Sequence, residues 1–284
     1  MTLLVHLRLP FQLLLAPIFL WGWLLSGGGW STRVLLAFIA FHVFLYGGAT
    51  AFNSAYDRDV GPVGGLARPP PIVPQLLPFS IAIQVVGCAL CWLVHPLVFL
   101  ACVGFLVLSL AYSHPRVRLK ARPVASLVVV GLGQGALAFL GAWAANRGEL
   151  GSVASPEGVL GAAAATLVVI GLYPLTQLFQ LDEDRARGDR TLAVALGPDV
   201  AFAVALVCLL LGGLTLARVL LGRFGLLDAL LVGTGLSVQL AAVVMWARRF
   251  DASQVMLNYR RVMRLNSTCA AMLGAYFVFR LVNP

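Results

Sequence analysis

The chain has 284 residues, of which 60% are hydrophobic and only 11% charged, with a formal net charge of +9 and a mean hydropathy of +0.93. A soluble globule carries roughly a quarter charged residues, so this chain has too little polar material to cover a water-facing surface. The composition excludes a soluble domain and describes an integral membrane protein.

A membrane-crossing helix needs about 20 mostly apolar residues. Taken in chain order, nine stretches approach that need: 10–25, 34–52, 76–94, 97–112, 123–145, 159–181, 200–221, 226–246 and 265–282. They predict an all-α, polytopic bundle in which residues 1–284 form a single transmembrane domain. One Arg precedes the first stretch and no small-x-small cleavage site follows it, which predicts an uncleaved first helix rather than a signal peptide. With nine spans, the N-terminal side collects Arg8, Arg58, Arg68, Arg116, Arg118, Lys120, Arg122, Arg185, Arg187, Arg190, Arg248, Arg249, Arg260, Arg261 and Arg264, which is 15 of the 20 basic residues. The opposite side keeps Arg33, Arg147, Arg218, Arg223 and Arg280. Positive charge accumulates in the cytoplasm, so the sequence predicts a cell-membrane protein whose N-terminus and longer loops face inward. The charge is thus an orientation signal, and it gives no support to nucleic-acid binding.

Outer connections read as short and inner ones as long. The two longest inner loops, 57–75 and 182–199, lie four spans apart, which suggests a duplicated four-helix unit. The inner stretch 250–263 reads as a short amphipathic helix at the membrane interface, with Arg260 and Arg261 toward the headgroups. Cys88, Cys91, Cys102, Cys208 and Cys269 all fall in apolar stretches and read as small buried hydrophobes rather than a redox or zinc site. Gly131, Gly133 and Gly135 sit within a span, where they let helices approach closely.

Polar side chains are expensive at membrane depth and mark functional sites by default. Asn53 and Asp57 stand four residues apart at the exit of the second span, on one face if the helix continues that far. An amide oxygen and a carboxylate suit Mg²⁺, which takes one or two carboxylates and fills its shell with water and substrate phosphate. Asp59 points elsewhere on a helix unless a turn brings it back. At the end of the sixth span Gln177, Gln180 and Asp184 share a face, while Asp182 and Glu183 lie off it. The fourth span ends Tyr112-Ser113-His114-Pro115 and runs into Arg116, Arg118, Lys120 and Arg122, cations suited to a diphosphate beside bound metal. A solvated helix terminus is the bland alternative for each acidic cluster, and membrane orientation is the bland alternative for each Arg. His6, His42, His95 and His114 show no metal or nucleophile spacing.

These landmarks together resemble the UbiA superfamily of intramembrane prenyltransferases. That family has nine transmembrane helices, an N-x-x-x-D-x-x-x-D motif after the second helix and a D-x-x-x-D motif after the sixth. Here Asn53 and Asp57 match the first motif, with Gly61 in place of its last acid, and Arg68-Pro69 matches the Arg-Pro element that follows. Tyr112-Ser113-His114-Pro115 through Lys120 is similar to the family's Tyr-Ser-x-Pro and basic tail. The second motif reads Gln180-x-x-x-Asp184, with Gln177 in place of an earlier acid, and continues into Gly188, Arg190 and Thr191. The resemblance covers essentially the whole chain.

It implies a Mg²⁺-dependent prenyltransferase acting at the cytoplasmic face on a polyprenyl diphosphate and an aromatic or other lipophilic acceptor, of the kind used in quinone biosynthesis. Asp57 and Asp184 are then the catalytic acids. Asn53, Asp57, Asp59, Gln180, Asp182 and Asp184 are the expected metal ligands. Arg68, Tyr112, Lys120, Gln177, Gln180 and Arg190 are the expected substrate contacts. Membrane lipid is the surrounding partner, and nothing in the sequence calls for an obligate protein partner. Two other readings stay open: phosphoribosyl transfer onto a polyprenyl phosphate, and a non-catalytic lipid-binding or transport relative.

Overall fold

The structure, a computed structural model, describes residues 2–284. Among them, nine helices are long and apolar enough to cross a membrane: α1 (Thr2–Leu25), α2 (Thr32–Asp57), α3 (Leu76–Val94), α4 (Pro96–Ser113), α5 (Pro123–Arg147), α6 (Pro156–Gln177), α7 (Pro198–Arg223), α8 (Leu226–Ala247) and α9 (Val255–Val282). The chain is a multi-pass membrane protein. Helices suit such a chain because each satisfies its backbone polar groups internally, with no water to do so. On one side the connections are short: His95 alone separates α3 from α4. On the other side they are long, and two of them carry the polar residues of interest.

Hydropathy locates α3 to the residue and α8 to within one. It misplaces the start of α9. The expected interfacial helix over 250–263 does not form as a separate element; α9 begins at Val255 and runs unbroken to Val282. Asn258, Tyr259, Val262, Leu265 and Cys269 are all buried, and their spacing makes one helical face that docks on the bundle. The Asn258 amide pays no desolvation penalty there, because its Oδ1 accepts from Trp246 Nε1 (3.1 Å) and its Nδ2 donates to the Asp251 carbonyl (2.8 Å).

Close backbone approach holds the bundle together, as expected where lipid supplies no hydrophobic drive between helices. α1 lies against α5, and α6 lies along α7. A Cβ on Gly22 of α1 would stand 2.3 Å from the Phe139 carbonyl of α5. A Cβ on Gly135 would stand 2.6 Å from the Thr166 Cα of α6. The glycines of the fifth span therefore do the packing that the sequence predicts. Trp21 Nε1 donates to the Gly161 carbonyl (3.1 Å), tying α1 to α6.

Three irregularities shape the interior. α1 breaks at Arg8, which adopts a left-handed backbone (φ 50°). The carbonyls freed by the break are taken up by polar side chains: Gln12 Nε2 donates to Leu7 O (2.8 Å), and Thr50 Oγ1 approaches His6 O and Leu7 O (both 3.2 Å). α2 and α5 each carry one π-helical stretch, Ala40–Leu45 and Gly131–Ala136. Such bulges commonly sit beside functional sites, and Tyr46, Gly133 and Gln134 at or next to these two line the central cavity described below.

Candidate active site

The C-terminal ends of α2 and α6 converge. α2 ends at Asp57, and Arg58 turns the chain through a left-handed conformation (φ 52°), its N–H bonded to the Ser54 carbonyl (3.1 Å). The turn brings Asp59 back beside Asp57, so the carboxylate that a helix would direct elsewhere lies only 4% exposed against Arg187. One helical turn before Asp57, Asn53 Oδ1 accepts from Ser113 Oγ (3.0 Å) and Lys120 Nζ (2.8 Å). Lys120 also pairs with Asp57, and Arg118 Nη2 reaches the other Asp57 oxygen at 3.2 Å.

Beyond Gln177 the chain forms a short helix, Leu181–Arg187. Its inward face presents Asp184, which accepts from Arg187 Nη2 (2.6 Å) and Thr191 Oγ1 (3.3 Å). Gly188 (φ 77°) ends the helix in the left-handed region, and the Asp189 N–H returns to the Asp184 carbonyl (2.9 Å). That turn buries Asp189, whose carboxylate is gripped by Arg118 through Nε (2.6 Å) and Nη2 (2.8 Å) and by Arg187 Nε (3.3 Å). Glu183 ties the two loops together: its Oε1 accepts from the N–H of Val60 (2.7 Å) and Gly61 (3.3 Å).

Four buried or nearly buried carboxylates, Asp57, Asp59, Asp184 and Asp189, thus pair with Arg118, Lys120 and Arg187, and they line a polar cavity of about 80 Å³ together with Lys120, Arg187 and Arg8. Burial pushes Asp184 up to about 6 against the pull of Arg187. Burial and then the charge of Asp57 push Asp59 upward as well. For Asp189 burial acts in the same sense, but the hydrogen bonds and charges of Arg118, with Lys120 and Arg187, outweigh it and hold the carboxyl below its ordinary value. Burial lowers Lys120, with Asp57 opposing.

A second, mostly apolar cavity of about 250 Å³ continues from the first into the membrane-spanning bundle. The two share Arg8, Asn53, Gly64, Tyr112, Tyr173, Thr176 and Gln180. Phe105, Leu108, Val129, Val168, Leu172, Phe179 and Leu273 line its interior. At the junction the Tyr112 and Tyr173 hydroxyls share a hydrogen bond (2.9 Å), and Lys120 Nζ lies 6.0 Å from the Tyr112 ring centre. Arg8, 6% exposed, donates to Ser54 Oγ (2.6 Å); among the described residues it pairs with no carboxylate and its Nε meets no hydrogen-bond partner.

Asn53, Asp57, Asp59, Tyr112, Lys120, Gln177, Gln180 and Asp184 therefore line one continuous space. Asp182, Arg68 and Arg190 do not. The Asp182 side chain is 80% exposed and pairs with Arg185, because the face of the short helix that turns Asp184 inward turns Asp182 outward. Arg68 and Arg190 are exposed and border neither cavity. Gln177 shapes the wall: its Oε1 accepts from the Ala193 N–H (3.1 Å). Sequence reasoning named Arg118 only as one of a run of cations suited to a diphosphate, and did not assign Arg8, Arg187 or Asp189 to the site. The spacing Asp184-x-x-Arg187-Gly188 carried a usable signal, since residues three apart share a helix face and Gly permits the turn after it.

Oxygen donors for a hard cation are present, yet among the described residues no three acidic, histidine or cysteine side chains converge so as to hold a metal unaided. The donor set fits an ion such as Mg²⁺ that enters with a phosphate and completes its shell from it.

A model of the UbiA prenyltransferase family matches residues 14–268. No curated protein sequence matches the chain. Among solved structures, the fold is similar to a UbiA homolog from Archaeoglobus fulgidus bound to GPP and Mg²⁺, at 19% identity and a TM-score of 0.70, covering 98% of this chain and 100% of that one. The same homolog bound to DMAPP and Mg²⁺ matches at 19% identity and a TM-score of 0.69, covering 98% and 99%. A UbiA homolog from Aeropyrum pernix K1 matches at 21% identity and a TM-score of 0.68, covering 97% and 98%.

Proposed function

The chain belongs to the UbiA prenyltransferase family, and from that membership we propose that it transfers a prenyl group from a polyprenyl diphosphate to an aromatic or other lipophilic acceptor at the cytoplasmic face of the membrane. The observation that carries this reading is the continuity of the two cavities: a polar chamber with acids from both loops opens directly into an apolar one between helices. That pairing suits an amphiphile with a polyanionic head and a hydrocarbon tail. The GPP and Mg²⁺ held by the Archaeoglobus fulgidus homolog support the same class of donor.

The diphosphate occupies the polar chamber, where Arg118, Lys120 and Arg187 donate charge-assisted hydrogen bonds to its oxygens. Asn53 and Asp57, with the Gln180 amide opposite, would hold Mg²⁺, while Asp184 would face the headgroup through Arg187; the ion would neutralise charge on the leaving diphosphate. The allylic C–O bond breaks with its electron pair passing to the diphosphate, the acceptor's electron pair forms the new bond to the prenyl carbon, and the acceptor gives up its displaced proton to the departing diphosphate. Preorganised donors around the leaving group lower the barrier to that separation of charge. The aromatic faces of Tyr112, Tyr173 and Phe105 border the space where the cation develops and attract it. The apolar walls keep water from intercepting it.

Purified protein incubated with geranylgeranyl or farnesyl diphosphate, Mg²⁺ and a panel of aromatic acids and lipid acceptors is expected to release pyrophosphate in step with prenylated product. Absence of release with every donor and acceptor would count against catalysis and favour a lipid-binding role.

A further inference from the structure

One guanidinium links the two loops. Arg187 contacts Asp59 through Nη1, Asp184 through Nη2 (2.6 Å) and Asp189 through Nε (3.3 Å), so each of its three nitrogens meets a different carboxylate. Asp59 comes from the loop after α2, while Asp184 and Asp189 come from the segment after α6. We propose that Arg187 is a resident cation that takes the bridging position between the two loops, so that the prenyl diphosphate binds with a single divalent ion, on the Asn53–Asp57 side. The inference rests on the prenyl diphosphate reading above and adds to it the number of metals and the identity of the second cation.

Four features of the chain support it. A divalent ion bridging the loops needs carboxylate oxygens from both, and those of Asp59, Asp184 and Asp189 are already engaged by a planar, permanently charged fork suited to them. The fork is also held in place. Arg187 is the last residue of its helix, three after Asp184, and the turn behind it is closed by Gly188 at φ 77° and the 2.9 Å bond from the Asp189 N–H to the Asp184 carbonyl.

The third feature is that Glu183, a further acid where the loops face each other, is turned to backbone donors. Gly61 has no side chain, and a Cβ there would stand 2.9 Å from Glu183 Oε2, whose other oxygen caps the N–H groups of Val60 and Gly61. The Glu183 carboxylate is committed to the loop backbone, and Gln180 contributes only a neutral amide. The fourth is charge. Asp57, Asp59, Asp184 and Asp189 balance Arg8, Arg118, Lys120 and Arg187, so the site is neutral before the donor arrives. One divalent ion then offsets most of a diphosphate's charge, and the guanidinium donors solvate the rest. Lys120, on a flexible stem shared between Asn53 and Asp57, is free to pass to the phosphate as the ion enters.

The test is a Mn²⁺ titration followed by electron paramagnetic resonance, with the full-length protein in nanodiscs saturated with geranylgeranyl thiolodiphosphate, a donor analogue that does not ionise. Mn²⁺ serves because it takes the same oxygen ligands as Mg²⁺. One bound Mn²⁺ per analogue is expected in the unaltered protein. R187Q is expected to weaken analogue binding about tenfold or more, as loss of charge-assisted hydrogen bonds does, and to take up a second Mn²⁺ at high concentration on the vacated carboxylates. R187K, which keeps the charge without the fork, is expected to stay at one Mn²⁺ with intermediate affinity; a melting profile establishes that each variant is folded. Two Mn²⁺ per analogue in the unaltered protein, or unchanged affinity in folded R187Q, would overturn the resident-cation role and leave the diphosphate reading standing. Failure of the unaltered protein to bind the analogue at all would overturn both.

Discussion

Buried carboxylates stand at both ends of this bundle, and they are treated differently. At the end with the short connections Asp228 of α8 accepts from Tyr276 (2.6 Å) and from Arg280 through Nε (2.7 Å) and Nη2 (2.6 Å), both on α9. Arg280 in turn stacks on Phe224, 5.0 Å from the ring centre. That carboxylate lines neither cavity, has a full set of partners and clips two neighbouring helices together. At the end with the long loops Asp57, Asp59, Asp184 and Asp189 share cations among themselves and border open space. Closed pairing is what a structural ion pair needs; shared pairing next to a cavity leaves cations free to trade a carboxylate for a ligand.

Substitutions at the two ends should therefore separate activity from stability. The largest effect on activity is expected for Asp57→Ala and Asp184→Ala: pyrophosphate release per folded molecule falling by roughly 10²–10³, the scale of losing a preorganised electrostatic group, together with some loss of melting temperature from their own buried pairs. Asp228→Asn should affect stability alone. It breaks a largely buried pair, which costs on the order of 3 kcal/mol, and the expected readout is a lower melting temperature with turnover per folded molecule unchanged. If Asp228→Asn abolished turnover in folded protein, that end of the bundle would have to be counted into the site.

A subtler difference lies in pH. Asp184 is raised to about 6 in the folded protein from an ordinary carboxyl value of about 3.9. Between those values the folded state binds the proton more tightly than the unfolded one, so this group's stabilisation is present at low pH and lost as pH rises toward 6. The melting temperature of the unliganded protein is expected to carry that slope, and Asp184→Asn to remove it. The smallest effects are expected at Arg68, Arg190 and Asp182: neutralising any of these exposed side chains should leave turnover within about twofold, as for surface positions away from a site. A tenfold loss at Arg68 or Arg190 would mean that these loops close over the donor.

The bundle was legible in the sequence because the membrane imposes one rule on every span, a length of apolar residues. The rule has a limit that α9 exposes. Its first turns carry Asn258, Arg260, Arg261 and Arg264, so hydropathy begins the span only at Leu265, whereas the helix is set by a buried face that includes a polar Asn. Motif spacing located the two loops and placed Asn53, Asp57 and Asp184 among the site candidates. It missed Arg8, Arg187 and Asp189, and did not single Arg118 out of its basic run, because their positions follow from turns. Arg58 and Arg118 sit in left-handed conformations (φ 52° and 44°) that no residue preference would announce. Arg8 and Arg187 read, residue by residue, as ordinary cytoplasmic charges. Only the meeting of the loops brings Arg8 and Arg187 to one cavity.

The central claim is that the loops after α2 and α6 grip one headgroup. A double-mutant cycle on Asp57→Asn and Asp184→Asn tests it most directly, reading the affinity for geranylgeranyl thiolodiphosphate with Mg²⁺ by calorimetry. Residues that act on one ligand couple, and distant independent sites add. The account predicts that the double substitution weakens binding by clearly less than the product of the two single effects. Strict additivity, or a single substitution without effect, would contradict it.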